Sequence, residues 1–234
     1  MRPAPRLRLF TLLAWLGVGS ACWAQQPVEW LGELAAATEL TDRGLTVGPR
    51  KPLVQGQLAA YLAGNWTVSV AASLQGGSTR DSRLLARLGR SWTLSNDWQA
   101  EAGLGYYAYP GDPVSRNFDR VEAGASAGFR DLVSLGVTAL HYPAWPGRRA
   151  GLHWALDLGL RWPLGEAWSL TASLGRADLP QDSRQHYGYG GLGLAWQQGP
   201  WRAEVNRLAA DAKARYWMGD GAQARWSAMI ARNF

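Results

Sequence analysis

Three histidines are the side chains best suited to move a proton near neutral pH: His141, His153 and His186. Of these, only His153 has a carboxylate in step with it, Asp157 four residues on. In a strand both would face the same way, but the gap spans roughly 13 Å, beyond a hydrogen bond. A lipid hydrolase of the Ser-His type needs its nucleophile, base and orienting group in hydrogen-bond reach. His141 and His186 fall at or near long connections instead. No H-E-x-x-H helix and no phosphate-binding loop occurs. No cluster has metal-ligand spacing. The expectation is a protein that is not an enzyme and holds no catalytic, cofactor or metal site.

What remains is a set of charges whose placement depends on the elements that carry them. Those elements have a period of two. In "LHWALDLGLRW", Leu152, Trp154, Leu156, Leu158, Leu160 and Trp162 share one face, and His153, Ala155, Asp157, Gly159 and Arg161 the other. The chain ends the same way, with "WSAMIARNF" alternating up to Phe234. Twelve such segments lie near 31–41, 53–63, 66–76, 83–93, 98–109, 118–129, 132–142, 151–162, 168–178, 187–197, 201–209 and 222–234. The connections alternate. Long ones at 42–52, 77–82, 110–117, 143–150, 179–186 and 210–221 are separated by short ones such as Gly64-Asn65 and Arg130-Asp131. No run approaches the ~20 apolar residues of a membrane helix.

An even number of strands of about ten residues, joined by alternating short and long connections, is the pattern of a transmembrane antiparallel β-barrel. Closure leaves no unpaired edge for lipid to meet. The expectation is all-β, with 12 strands (range 10–14). Tryptophan supports it independently. Trp66, Trp98, Trp168 and Trp201 open strands after short connections, and Trp92, Trp162 and Trp196 close strands before them. With Phe129 and Phe234 they form one ring at the short-connection end, the level of an interfacial girdle. A soluble sandwich would put such rings mid-strand. The aromatic last strand resembles the signal by which outer-membrane barrels are recognised for assembly, so the barrel-assembly machinery is an expected partner. Arg232 falls on the lipid-facing parity, near enough to the interface to snorkel.

Ahead of this pattern, Arg2, Arg6 and Arg8 precede an apolar run from Leu9 to about Val18, then small residues and Cys22-Trp23-Ala24. That order reads as a cleaved secretory leader over 1–24, leaving one barrel domain over 25–234. Cys22 also fits the alternative of a lipid-modified leader. Cleavage removes three Arg and no acid, so the formal charge of +6 is halved. The remaining charge leaves no nucleic-acid footprint. Cys22 is the sole cysteine, so a disulfide-stapled fold is excluded.

Two further stretches stand at strand ends: "TDRGLT" from Thr41 to Thr46, and "GYYAYPGD" from Gly105 to Asp112. With them the chain, from about Val28 onward, resembles the TorF-like family of proteobacterial outer-membrane porins. The resemblance implies an exported short barrel acting as a passive channel, with no catalytic residues to carry over.

Parity makes Glu33, Glu39, Glu101, Glu122, Asp157 and Glu204 inward acids, against inward Arg87, Arg120, Arg161, Arg202 and Arg225. This near-balance predicts a narrow mixed-charge lumen of weak selectivity, or one partly plugged by ion pairs. Many other inward positions are glycine, which leaves room for water or for rings lying on bare backbone. Tyr107, Tyr109, Tyr142, Tyr187 and Tyr189 share the inward parity near the long-connection end. They suit an aromatic constriction, or caps that anchor loops. Arg176 and Arg207 point outward at the same end, where the phosphates of lipopolysaccharide are expected, and Tyr216 and Trp217 stand in the last long connection. The expected partners are therefore small solutes, outer-membrane lipids and lipopolysaccharide. The expected function is passive diffusion across the bacterial outer membrane, with a closed structural or loop-binding barrel as the alternative.

Overall fold

A computed structural model describes residues 28–111, 115–144, 150–180 and 182–234. The expected leader and Cys22 lie outside the described residues. Fourteen strands form, in order β1 (Glu29–Ala37), β2 (Thr41–Asp42), β3 (Leu45–Thr46), β4 (Leu53–Leu62), β5 (Trp66–Gln75), β6 (Ser78–Thr93), β7 (Trp98–Ala108), β8 (Arg120–Phe129), β9 (Val133–Tyr142), β10 (Gly151–Pro163), β11 (Trp168–Leu179), β12 (Asp182–Gln198), β13 (Trp201–Ala210) and β14 (Arg225–Asn233). One short helix, α1 (Ala212–Met218), precedes β14.

Twelve of these strands close an antiparallel barrel in which every neighbour in the chain is a neighbour in the wall, and β1 pairs both β4 and β14. The remaining two, β2 and β3, form a separate hairpin. Alternation along the strands becomes inside and outside. Leu152, Trp154 and Leu156 are all more than half exposed, whereas His153 and Ala155 between them are almost fully buried. A continuous outward surface of Leu, Val and Trp is unfavourable in water and matched by lipid. Among the described residues no helix is long and apolar enough to cross a membrane.

The short connections form as the residue types dictate. Gly64 and Asn65 have φ of 75° and 60°, and Arg130 and Asp131 have 49° and 60°. Two consecutive positive φ values are the two-residue hairpin turn that suits twisted strands.

Four expectations need correction at the opposite end. The connection expected at 77–82 is strand: Gly76 and Gly77, at φ 56° and 70°, make a two-residue turn and β6 starts at Ser78. Likewise β12 begins at Asp182, inside the expected connection 179–186. Polar residues beyond the lipid still satisfy their backbone by pairing, so the hairpins run on. Both extensions start at a register shift, at Leu74/Gln75 and at Asp178/Leu179. Third, the first strand stops at Ala37 rather than 41, and "TDRGLT" forms the separate hairpin. The last strand starts at Arg225, because Gly219–Ala222 is a 3-10 turn.

Candidate functional site

The β2–β3 hairpin sits inside the long-connection mouth of the barrel. Its turn, Arg43 and Gly44, has φ of 44° and 76°. A Cβ on Gly44 would stand 2.5 Å from Cβ of Tyr189, so the close approach to the wall requires glycine. Leu45 and Val47, each 1 % exposed, plug into two apolar clusters. Leu45 meets Leu140, Tyr142, Tyr187 and, from the last connection, Ala214 and Ala222. Val47 meets Leu53, Tyr107, Tyr109 and Phe118.

Ion pairs fix the hairpin tip. Asp42 accepts from Arg120 at 2.8 Å, and Arg120 also bonds Glu122 at 2.7 Å. Arg43 reaches Glu122 at 2.8 Å and lies 4.0 Å from Asp157. Burial disfavours the Arg43 charge, but Asp42 and Glu122 outweigh it and hold the guanidinium protonated well above the ordinary arginine value. The Tyr187 hydroxyl donates to the Arg43 carbonyl at 3.2 Å, and Arg225 donates to the Gly44 carbonyl at 3.2 Å. Arg225 also pairs with Glu39 at 2.9 Å, and Glu39 accepts from Thr46 at 2.7 Å. Buried charges are tolerated only with such partners.

The sequence-predicted lining residues therefore divide by level. Glu39, Tyr107, Tyr109, Arg120, Glu122 and Arg225 all belong to the hairpin's socket. Arg87 donates to the Tyr107 hydroxyl at 2.5 Å, and Arg120 stacks on the Tyr107 ring at 4.1 Å. Tyr109 packs edge-on against Phe118, and burial, opposed by Arg120, pushes its phenol up to about 12. Asp157 accepts from the Tyr189 hydroxyl, whose ring lies on the bare backbone of Gly175. The five inward tyrosines thus pack around a loop rather than ringing open water.

Below the hairpin the lumen is polar and open toward the short connections. Glu101 and Arg161 line a cavity of about 300 Å³ with Ser91, Ser126 and Ser134. A second space of about 690 Å³ continues past Arg161, Ser169 and Gln197 to the rim. Arg161 bonds Ser169 at 3.2 Å. On the wall near β1, Arg202 pairs with Glu33 at 3.1 Å and lies 3.9 Å from Glu204.

Sequence reading missed Asp42, Arg43, Gly44 and Arg83, which bonds Gln55 at 2.5 Å. The turn signal was present in Arg43-Gly44. Where the turn docks was not.

The stretch Gly124–Gly128, "GASAG", has the spelling of a hydrolase nucleophile elbow. It lies within β8, not at a strand-to-helix turn, and Ser126 pairs across from Glu101 and Gly136. His153 is packed edge-on against Tyr142 at 4.9 Å, four residues along β10 from Asp157. These groups do not assemble into a triad. Among the described residues no group of His, Cys, Asp or Glu is placed to hold a metal.

The girdle residues Trp66, Trp98, Trp162, Trp168, Trp201 and Phe234 stand on the outward face at the short-connection end. Trp98 meets Phe129 at 5.1 Å, and Trp168 pairs across from Trp196. Arg90 sits over the Trp66 and Trp92 rings at 5.6 and 5.5 Å, and Arg232 over Trp201 at 5.6 Å. The outward arginine of the last strand is thus held on an aromatic face.

A closed twelve-stranded antiparallel barrel with an apolar outside, an aromatic girdle and a polar inside is a membrane-spanning β-barrel. No protein-family model matches the chain, and no curated protein matches it. Solved structures do. The NanC porin superposes with a TM-score of 0.59 at 8% identity, covering 87% of this chain and 98% of that one. The KdgM porin, solved in complex with disordered oligogalacturonate, superposes with a TM-score of 0.57 at 7% identity, covering 88% and 99%. The chain has the fold of these porins over nearly their whole length.

Proposed function

We propose that the chain is an outer-membrane channel of porin type, through which small hydrophilic solutes diffuse passively along a narrow mixed-charge lumen. The reading includes the TorF-like resemblance, export by a cleaved leader and insertion by the barrel-assembly machinery. The observation that carries it is the cavity on the short-connection side of the lumen, lined by Glu101, Arg161, Ser126 and Ser134 and continuing to the rim. Hairpin 41–46 sets the constriction.

Ion-pair accounting supports weak selectivity. Arg43, Arg120, Arg202 and Arg225 are matched to carboxylates. Arg83, Arg87 and Arg161 bond neutral groups. Glu101, Glu204 and Asp157 offset them. An acidic oligosaccharide of the kind named for KdgM would meet acids as well as arginines here, so the proposed solutes are small and not strongly charged.

A second reading is a closed barrel that works through its outer loops. The burial of Leu45 and Val47 in the mouth favours it. Single-channel recording of refolded protein in a planar bilayer separates the two. Discrete current steps with a reversal potential near zero in a salt gradient support the channel. Silence from protein shown to be folded supports the closed barrel.

A further inference from the structure

At the long-connection end the lipid-facing wall carries a polar patch that the lumen does not explain. We propose that it binds a phosphorylated glycolipid of the outer leaflet, with Arg176, Arg207 and Lys213 on the phosphates and Tyr216 and Trp217 on the sugar. The orientation rests on the outer-membrane reading above.

Arg207 is outward on β13, six residues above the girdle residue Trp201, and Arg176 is outward on β11, eight above Trp168. At the rise of a tilted strand this places both roughly 15–20 Å from the girdle, toward the far edge of an apolar band ~25 Å tall. That is the depth of lipid phosphates. Arg207 lies over the Trp226 ring at 5.7 Å, and Trp226 is 66 % exposed. Stacking fixes the guanidinium while leaving its donors for a phosphate, which it suits better than a point charge does.

Local acids are already engaged. Asp178 accepts from the Trp154 backbone N–H at 2.9 Å. Asp182 bonds Arg184 at 3.2 Å. Asp211 accepts from the N–H groups of Gly188 at 2.7 Å and Ala214 at 2.9 Å. Among the described residues no salt bridge is formed by Arg176, Arg207 or Lys213; Asp211 does act on Lys213 electrostatically, and the patch as a whole carries Arg176, Arg184, Arg207, Lys213 and Arg215 against Asp178, Asp182 and Asp211, a surplus of positive charge.

Helix α1 continues the patch above the phosphate level. Asp211 joins it to Gly188, which pairs with Arg176 across the wall. Ala214 faces the core, and Lys213, Tyr216 and Trp217, spaced i, i+3 and i+4, share the exposed side. Tyr216 is 81 % exposed, with Trp217 edge-on at 5.4 Å. A glycerophospholipid ends near its phosphate. Two rings standing higher suit a lipid whose phosphates are carried on sugars.

The test is native mass spectrometry of the full barrel in detergent, with purified lipid A, its dephosphorylated form and phosphatidylglycerol as probes. The expected result is retention of lipid A by the native protein, about tenfold lower in Arg176→Gln/Arg207→Gln/Lys213→Gln. A control variant, Arg90→Gln/Arg232→Gln, removes the stacked arginines of the opposite rim and is expected to retain lipid A as the native protein does. Equal retention by the triple variant, or of dephosphorylated lipid A, overturns the proposal. Equal retention of phosphatidylglycerol overturns the glycolipid as occupant. Folding is checked for each variant by heat-modified gel mobility. No readout depends on conductance, so failure here is separate from failure of the channel reading.

Discussion

Phe234 closes the barrel on Gly32. The two residues exchange both backbone hydrogen bonds, at 2.9 and 3.0 Å, and the Phe234 ring occupies the space that a Cβ on Gly32 would fill. The last side chain of the chain is thus seated where the first strand has none. Gly32→Leu is expected to cost about 1–3 kcal/mol by overpacking, seen as a smaller fraction of compact, heat-modifiable barrel after refolding. Adding Phe234→Ala removes the clash and should restore part of the loss. Additive losses in the double variant would sink the pairing.

The hairpin's seat depends on Gly44. A β-branched residue there meets Tyr189 and must hold a positive φ, a strain of about 1–3 kcal/mol. Gly44→Val is therefore expected to raise the population with the hairpin out of the mouth by about tenfold. Longer open times in single-channel records and faster tryptic cleavage after Arg43 would both report it. Unchanged gating with unchanged protection of Arg43 would contradict the constriction.

Arg120 is the hub of the latch, 2 % exposed and bonded to both Asp42 and Glu122. Arg120→Ala removes one of the two cations at Asp42 and one of the two at Glu122, leaving Arg43 at 3.5 and 2.8 Å, at a cost of about 1–3 kcal/mol. Asp42→Asn/Arg120→Met is expected to cost less than the sum of its single changes, because both remove the same ion pair. Thermal unfolding of the four proteins in one detergent gives the cycle.

Strong acid loosens the last outer connection. Burial alone would raise the Asp211 carboxyl; hydrogen bonds from the N–H groups of Ala214, Gly188 and Lys213 outweigh it and hold it below the usual carboxylate range. A depressed folded-state pKa stabilises above the unfolded value and is lost as pH falls through the folded one. Neutral to mildly acid pH should therefore leave α1 unchanged, and strong acid should free the Ala214 and Gly188 amides to exchange while the wall stays protected. Asp211→Ala should show fast exchange at all pH values, with about 1 kcal/mol lost locally.

Strand number, facing and the girdle were legible because they are local. Leu152 to Trp162 declare their two faces within eleven residues, and Trp66 or Trp201 marks a strand start beside its own turn. In a barrel each strand pairs with its chain neighbour, so order in sequence becomes order in the wall. The extended hairpins at 76–78 and 179–182 were not legible, since polar strand beyond the lipid reads like loop.

The inward charges show both sides. Their parity followed from the sequence, and so did the near-balance of signs. Which charges meet water did not. Glu122 meets Arg43 from 79 residues away, Tyr187 from 144 and Arg225 meets Gly44 from 181. The sequence by itself determined a membrane barrel with a polar inside, because alternation and turn chemistry act over a few residues. Only the tertiary structure decided that "TDRGLT" lies within the mouth, because the socket exists only once β8, β10, β12 and β14 are brought around it.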